Sequence, residues 1–255
     1  MSHSTTGKFL AIALSLLALD CEQKGDGASH PNPTTAAVTS AAVAVPQPSR
    51  AEPAAQPSAT TPPAPSAVPI NPALLKPDAA KTTAPAKFKV KFSTAKGDFV
   101  VEATRTWAPL GVDRFYNLVK LGFYTDIAFF RVVPDFVVQF GIHGNPEVAK
   151  VWKNATIKDD KKTKQSNLKG TVTFAKSGPD TRTTQLFVNF KDNTKLDKMG
   201  FPPIGKVVQG LDVVDAINKE YAEQPDQSMI QASGNSYLRD IFPRLDYVRS
   251  AEIIK

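Results

Sequence analysis

Apart from Asp135, two polar side chains stand inside an otherwise apolar stretch between residues 129 and 141. The stretch is rich in aromatic and β-branched residues, which favour strands, and Pro134-Asp135 divides it. We therefore predict two short strands joined by a turn, with Arg131 on the first and Gln139 on the second. Burying a guanidinium group in apolar surroundings is costly unless a partner pairs with it. Either a carboxylate across the sheet holds the arginine while the glutamine satisfies loop backbone, or the two side chains form a functional site.

A second motif favours the functional site. Residues 170–181 read G-T-V-T-F-A-K-S-G-P-D-T, and residues 184–188 read T-Q-L-F-V. Together with the first stretch they resemble the cyclophilin family of peptidyl-prolyl cis-trans isomerases. The family signature is F-x-R-V-I-P-x-F-x-x-Q, followed by G-x-x-x-x-A-x-x-G-P-x-T and S/T-Q-F-F. The resemblance extends from Phe88 to the C-terminus.

The resemblance implies a fold, an activity and a class of partner. The expected fold is mainly β: an eight-stranded antiparallel β-barrel with a packed interior, capped by two α-helices. The expected activity is acceleration of Xaa-Pro isomerisation in proline-containing polypeptides, without a metal or other cofactor. The alternative is a proline-peptide binding module or holdase chaperone in which turnover is incidental. Nothing in the sequence demands an oligomer, so a monomer is expected.

The resemblance also assigns roles to individual residues. Arg131 matches the catalytic arginine that donates to the prolyl nitrogen. Gln139 matches the glutamine that helps to hold this arginine and the substrate carbonyl, and Phe136 matches a position of the proline pocket. The expected substrate-binding residues are Val137, Ala175, Lys176, Gln185, Phe187, Leu196 and Phe201.

Three positions depart from the pattern of cyclosporin-sensitive relatives. Phe130 replaces a common histidine, Lys195 aligns with a tryptophan, and Phe201 aligns with a pocket histidine. The departures concern the drug more than the isomerase chemistry. We predict weak inhibition by cyclosporin in a peptide-isomerisation assay, and nanomolar inhibition would contradict this prediction.

Hydrophobic periodicity agrees with a barrel capped by helices. Apolar residues at helical spacing predict helices over residues 106–122 and 211–217, whereas residues 143–169 are polar and irregular and predict a loop. The 222–245 segment, which includes Gln231 to Tyr237, has no function that the sequence identifies. Alternating or β-rich runs predict the remaining strands, over residues 88–92, 99–102, 170–175, 185–190, 204–208 and 246–254.

Composition divides the chain into three parts. Thirteen of the 21 prolines fall between Pro31 and Pro85, and no aromatic residue occurs between Phe9 and Phe88. Such a sequence cannot bury enough apolar surface to offset chain entropy. We predict a signal-like segment over residues 1–21, a disordered Pro/Ala/Ser/Thr-rich linker over 22–86 and a folded domain over 87–255.

The first part resembles an export signal. Residues 9–19 form an apolar run behind Lys8, too short to cross a bilayer as a mature helix. Cys21, the only cysteine, follows directly, as in bacterial lipoprotein signals in which this residue becomes acylated. Asp20 departs from that pattern, because a small residue normally precedes the cysteine. We expect an exported protein, periplasmic or anchored to a bacterial membrane through Cys21.

The remaining features exclude several other classes of site. The formal charge of +7 falls on residues 87–255, where five lysines cluster between positions 158 and 169, interrupted by Asp159 and Asp160. Aromatic residues do not interleave with the lysines, so the cluster predicts a solvated loop rather than a nucleic-acid site. Only one histidine, His143, lies in the predicted domain. A hydrolase elbow and a zinc ligand cluster are both missing from the sequence.

Overall fold

The computed structural model describes residues 70–161 and 164–255. In this part of the chain, nine strands form one antiparallel sheet in the spatial order β3-β9-β1-β2-β8-β6-β7-β5-β4. Only two residues separate β3 from β4 in the chain, although these strands end the spatial order, so the sheet curls back toward itself. The strands are β1 (Lys87–Thr94), β2 (Gly97–Thr104), β3 (Ile127–Ala128), β4 (Arg131–Val133), β5 (Val137–Phe140), β6 (Thr171–Phe174), β7 (Leu186–Asn189), β8 (Pro203–Gln209) and β9 (Tyr247–Ile254).

Helical segments pack around this sheet. Two short 3-10 helices, Pro72–Leu75 and Pro77–Ala79, precede β1. None of the helices in the described ranges has the length and apolar character needed to cross a bilayer. The α-helices are α1 (Pro109–Lys120), α2 (Pro146–Trp152), α3 (Lys195–Lys198), α4 (Leu211–Asp215) and α5 (Gln227–Ile241).

The predicted cyclophilin-like fold class is confirmed, with differences in detail. The helices predicted over 106–122 and 211–217 are α1 and α4. Helix α2 lies inside the stretch for which we predicted a loop, and α5 occupies the 222–245 segment for which we predicted no element. Two residues that belong to no strand separate β3 from β4, so the sheet has nine strands rather than the predicted eight.

Alternating apolar residues build the interior of the curled sheet. In β1, Phe88, Val90 and Phe92 are buried while the intervening lysines are more exposed. The ring of Phe92 stacks on Phe99 of β2 at a centroid distance of 4.9 Å and meets Phe140 of β5 edge-on at 5.9 Å. Aromatic pairs in these geometries add to the free energy gained by burying their apolar surface. The packed interior leaves the outer face of the sheet to form any site.

The folded region begins before residue 87, which corrects the predicted end of the linker. Leu74 is buried in the main core, and its carbonyl oxygen accepts a hydrogen bond from the indole nitrogen of Trp152 at 2.7 Å. The backbone nitrogen of Ala84 donates to Asp113 Oδ1 of α1 at 2.8 Å. Residues 70–86 therefore pack against the domain, whereas the first part of the predicted 22–86 linker, up to residue 69, and the signal-like segment lie outside the described residues.

Helix α5 covers a second apolar cluster on the β3–β4 connection. Ile230 and Leu238 of this helix pack with Phe130, which is 1% exposed. Helix α5 is kinked at Gly234, whose φ of 60° and ψ of −143° are accessible almost only to glycine. A Cβ atom at this position would lie 2.0 Å from the carbonyl oxygen of Gly144. The kink thus lets the helix approach the chain just before α2.

A buried arginine joins the loop before β6 to the start of α1. Arg182 is fully buried, and its Nη1 donates to Asp160 Oδ2 at 2.9 Å. The same carboxylate accepts hydrogen bonds from the backbone nitrogens of Leu110 and Gly111. Arg182 Nη2 also donates to the carbonyl oxygen of Lys158. The loop that we predicted to be solvated has exposed lysines, but its acidic pair faces inward.

Burial makes His143 a source of pH-dependent stability. Burial lowers its pKa from 6.5 to about 4, although the backbone hydrogen bond at Asn145 and the charge of Asp126 oppose this shift. Because the folded protein disfavours the imidazolium form, stability is fully present above pH 6.5 and declines as the pH falls toward 4. We expect a loss of about 2 kcal/mol between pH 7.5 and pH 5, measured by urea unfolding.

The matched variant for this prediction is His143→Asn, which keeps an acceptor near the backbone nitrogen of Asn145. Unfolding free energies of the variant should change little over the same pH interval. If the free energy of unfolding fell equally with pH in the variant and the wild type, the pH dependence would belong to groups other than His143.

Candidate functional site

Strand register brings the predicted polar residues into one row on the outer face of the sheet. Arg131 of β4 lies directly opposite Gln139 of β5, and Gln139 lies opposite Phe187 of β7. Directly opposed residues on neighbouring antiparallel strands share a face and contact each other. Gln185, two residues before Phe187, points to the same face. The row thus runs across three adjacent strands.

Hydrogen bonds connect the polar members of this row. Arg131 Nη1 donates to Gln139 Oε1 at 3.3 Å, and Gln139 Nε2 donates to Gln185 Oε1 at 2.7 Å. The side-chain amide of Gln139 therefore forms hydrogen bonds with other side chains, not with loop backbone. The Arg131 guanidinium is also held by Glu223, whose Oε1 lies 2.6 Å from Nε. This carboxylate comes from the loop between α4 and α5 instead of from across the sheet.

An apolar cluster adjoins the arginine. Its buried members are 2 to 6% exposed, and Phe136 and Ala175 pack on them while remaining partly exposed. The Arg131 Cζ atom lies 5.7 Å from the centroid of the Phe136 ring. A cation and an apolar cluster are therefore neighbours in the structure. The buried members are Val137, Phe187, Leu196 and Phe201.

The β4–β5 turn positions Phe136 at the edge of this cluster. Asp135 adopts a φ of 55°, a left-handed conformation that aspartate tolerates better than most residues. The carbonyl oxygen of Phe136 then accepts hydrogen bonds from the backbone nitrogen of Phe190 and from Asn193 Nδ2, each at 2.9 Å. Sequence reasoning did not identify Asn193, because its link to the turn spans 57 residues.

The other end of the cluster is formed around Lys176. Its Nζ atom lies 5.5 Å from the centroid of the Phe201 ring and donates to Asp159 Oδ2 at 2.8 Å. The side chain of Lys176 is only 9% exposed. The backbone nitrogen of Ala175 donates to the carbonyl oxygen of Gln185 at 2.9 Å, so that group is already satisfied. A cavity of about 180 Å³ opens beside these residues, between Pro179 and Met199.

The residues of this site place hydrogen-bond donors beside an apolar cluster, and none of those named above is a cysteine or a histidine. His143 lies elsewhere, with its ring 5.1 Å from that of Phe123. In the described ranges, no group of three or more metal-ligating side chains could hold an ion. Cys21 lies outside the described residues. The chemistry that the site supports is donation of hydrogen bonds from a guanidinium beside an apolar cluster.

Comparisons with known proteins identify relatives of this chain. The sequence model of the family described as cyclophilin type peptidyl-prolyl cis-trans isomerase/CLD matches residues 89–233. Peptidyl-prolyl cis-trans isomerase A of Dickeya dadantii is 31% identical over 171 residues, which are 65% of this chain and 84% of the relative. Peptidyl-prolyl cis-trans isomerase B of Escherichia coli K12 is 32% identical over 136 residues, 50% of this chain and 82% of the relative.

A solved structure supports the fold. The crystal structure of a cyclophilin type peptidyl-prolyl cis-trans isomerase from Cryptosporidium parvum superposes with a TM-score of 0.51 at 16% identity, covering 66% of this chain and 98% of the other. The matched family model and the relatives above show that the chain belongs to the cyclophilin-type peptidyl-prolyl cis-trans isomerase family.

Proposed function

We propose that this protein accelerates Xaa-Pro isomerisation in exported polypeptides that are unfolded or still folding, with Arg131 as the catalytic residue. The observation that carries the proposal is the position of this guanidinium, next to Phe136 and hydrogen-bonded to Gln139. A binding module has no need of a fixed cation beside a pocket for a proline ring.

The chemistry needs little more than this pair of features. Uncatalysed isomerisation takes about 10–100 s, because amide resonance must be broken. The twisted transition state carries a lone pair on a pyramidal prolyl nitrogen, and a fixed donor stabilises it more than the planar ground state. Reaching milliseconds requires roughly 5–7 kcal/mol. One preorganised donor supplies about 3–4 kcal/mol, and apolar positioning and desolvation supply the rest.

The hydrogen bonds of Arg131 suit this role. A guanidinium has five N–H donors. Glu223 receives hydrogen bonds from the Nε side and Gln139 receives one from Nη1, so N–H donors remain on the terminal nitrogens. We assign one of them to the prolyl nitrogen. Gln139 holds the guanidinium and, through its own contact with Gln185, is itself held in place.

The apolar cluster is assigned to the proline ring. Val137, Phe187 and Leu196 are each at most 5% exposed, and they provide a dry surface for the ring while the preceding carbonyl rotates. Phe136 and Phe201 form the rim of this surface. We assign the peptide segment before the proline to Ala175 and Lys176. The Lys176 amine is already paired with Asp159, which favours use of its main chain.

The export setting is part of the proposal and depends on the sequence alone. An apolar run over residues 9–19 followed by Cys21 supports it. Mass spectrometry of the protein from its native host should find the chain cleaved before Cys21, with a lipid mass on that residue. An uncleaved N-terminus would contradict both export by this signal and membrane anchoring through Cys21.

A protease-coupled assay of the full chain with an Ala-Pro peptide tests the activity. Catalytic amounts of protein should raise the isomerisation rate in proportion to protein concentration. Binding of the peptide without any acceleration would leave only the binding module or holdase.

A further inference from the structure

A segment outside the sheet runs alongside the strand that carries the catalytic arginine. We call residues 218–226, between α4 and α5, the flanking segment. The backbone nitrogen of Val132 donates to the carbonyl oxygen of Ala222 at 2.9 Å. Ala222 has a φ of 46°, a left-handed conformation that alanine adopts rarely. This turn places the next residue, Glu223, beside Arg131.

The contact between Glu223 and Arg131 engages one whole edge of the guanidinium. Glu223 Oε1 lies 2.6 Å from Nε and 2.5 Å from Nη2. A single carboxylate oxygen that accepts from two adjacent guanidinium nitrogens restricts the rotation of the group as well as its position. Gln139, on Nη1, contacts a different nitrogen. Glu223 and Gln139 together restrict the directions in which the remaining donors can point.

Contacts at both ends hold the flanking segment in place. At its start, the backbone nitrogen of Asn218 donates to Asp246 Oδ2 at 2.8 Å. At its end, Asp226 caps α5 by accepting from the backbone nitrogen of Met229 at 2.8 Å. Between them, the ring of Tyr221 meets that of Phe242 edge-on at 5.1 Å. Glu223 is therefore presented from fixed backbone, although its own side chain is 58% exposed.

We infer that Glu223 is a positioning residue that holds the Arg131 guanidinium in the orientation used in the transition state. The inference rests on the proposed function, since an arginine without a catalytic role would need no orientation. Preorganisation of a donor acts on the transition state, where the prolyl nitrogen becomes an acceptor. Loss of Glu223 should consequently reduce turnover more than it reduces binding of the planar peptide.

A graded pair of variants tests this role. We expect Glu223→Ala, which removes the oxygen that contacts the guanidinium, to lower kcat/KM about tenfold, and Glu223→Gln, which keeps a neutral acceptor oxygen, to lower it about threefold. The dissociation constant of an Ala-Pro peptide, measured by NMR titration, should change less than about twofold in either variant. In the wild type, the Arg131 Nε–H signal should be resolved by NMR, and in Glu223→Ala it should broaden or move to the position of free arginines.

The matched control is Glu220→Ala. Glu220 lies in the same flanking segment but pairs with Arg244 instead of Arg131. The kcat/KM of the Glu220→Ala variant should stay within about twofold of the wild-type value. A Glu223→Ala enzyme as fast as the wild type, or one whose loss appears wholly in peptide affinity, would overturn the inference. An inactive wild-type protein would instead refute the proposed function itself.

Discussion

Replacing Arg131 by alanine is expected to lower kcat/KM for an Ala-Pro peptide by about 10²–10³-fold. The reason is that a single preorganised donor contributes about 3–4 kcal/mol to transition-state stabilisation. Peptide binding should weaken only a few-fold, because the apolar cluster around Phe187 does not depend on the arginine. A protease-coupled assay gives kcat/KM, and an NMR titration gives the dissociation constant.

Two further variants frame this result. Arg131→Lys keeps the positive charge but cannot contact Gln139 and Glu223 through a planar fork, so it should recover little of the lost activity. Arg249→Ala removes an exposed arginine from β9 and should leave the rate unchanged. If Arg131→Ala and the wild type turned over peptide equally fast, the site would bind prolines without catalysing their isomerisation.

Replacing Arg182 by methionine is expected to lower the free energy of unfolding by about 3–5 kcal/mol. Methionine has similar length but no charge, so the buried Asp160 carboxylate, 3% exposed, would lose its cationic partner. The Lys158 carbonyl oxygen would lose its hydrogen bond as well. Urea denaturation at pH 7, followed by tryptophan fluorescence, measures the change.

Arg244→Met is the matched control for this prediction. Arg244 also pairs with a carboxylate, that of Glu220, but both side chains are largely exposed. Exposed ion pairs contribute little to stability, so the midpoint of urea denaturation should change little. The double variant Arg182→Met/Asp160→Asn should recover part of the loss, since no unpaired charge remains. A loss below 1 kcal/mol in Arg182→Met would show that the buried network does not stabilise the fold.

The sequence predicts most of the fold because its signals are local. Alternating apolar residues in β1, such as Phe88, Val90 and Phe92, specify a half-buried strand without reference to the rest of the chain. The turn at Pro134-Asp135 likewise follows from two residues. The row of Arg131, Gln139 and Phe187 could be anticipated because two contiguous motifs contain it and strand pairing then brings them together.

Other parts of the structure depend on contacts between distant residues, which no local pattern reveals. Glu223 meets Arg131 across 92 positions, and an exposed glutamate in a polar loop looks like any other. Leu74 lies in a proline-rich stretch, yet it is buried in the core, where its carbonyl oxygen accepts a hydrogen bond from the Trp152 side chain. Asp160 looked like part of a solvated loop because its partner, Arg182, follows 22 positions later.

The burial of Phe130 under α5 has a consequence for how the enzyme can vary. Phe130 packs beneath the helix and directly precedes Arg131, the first residue of β4. The same helix ends the loop that bears Glu223. Local melting of α5 would therefore disturb the Arg131 guanidinium by two routes at once, so we expect changes in this helix to lower turnover while the curled sheet stays folded.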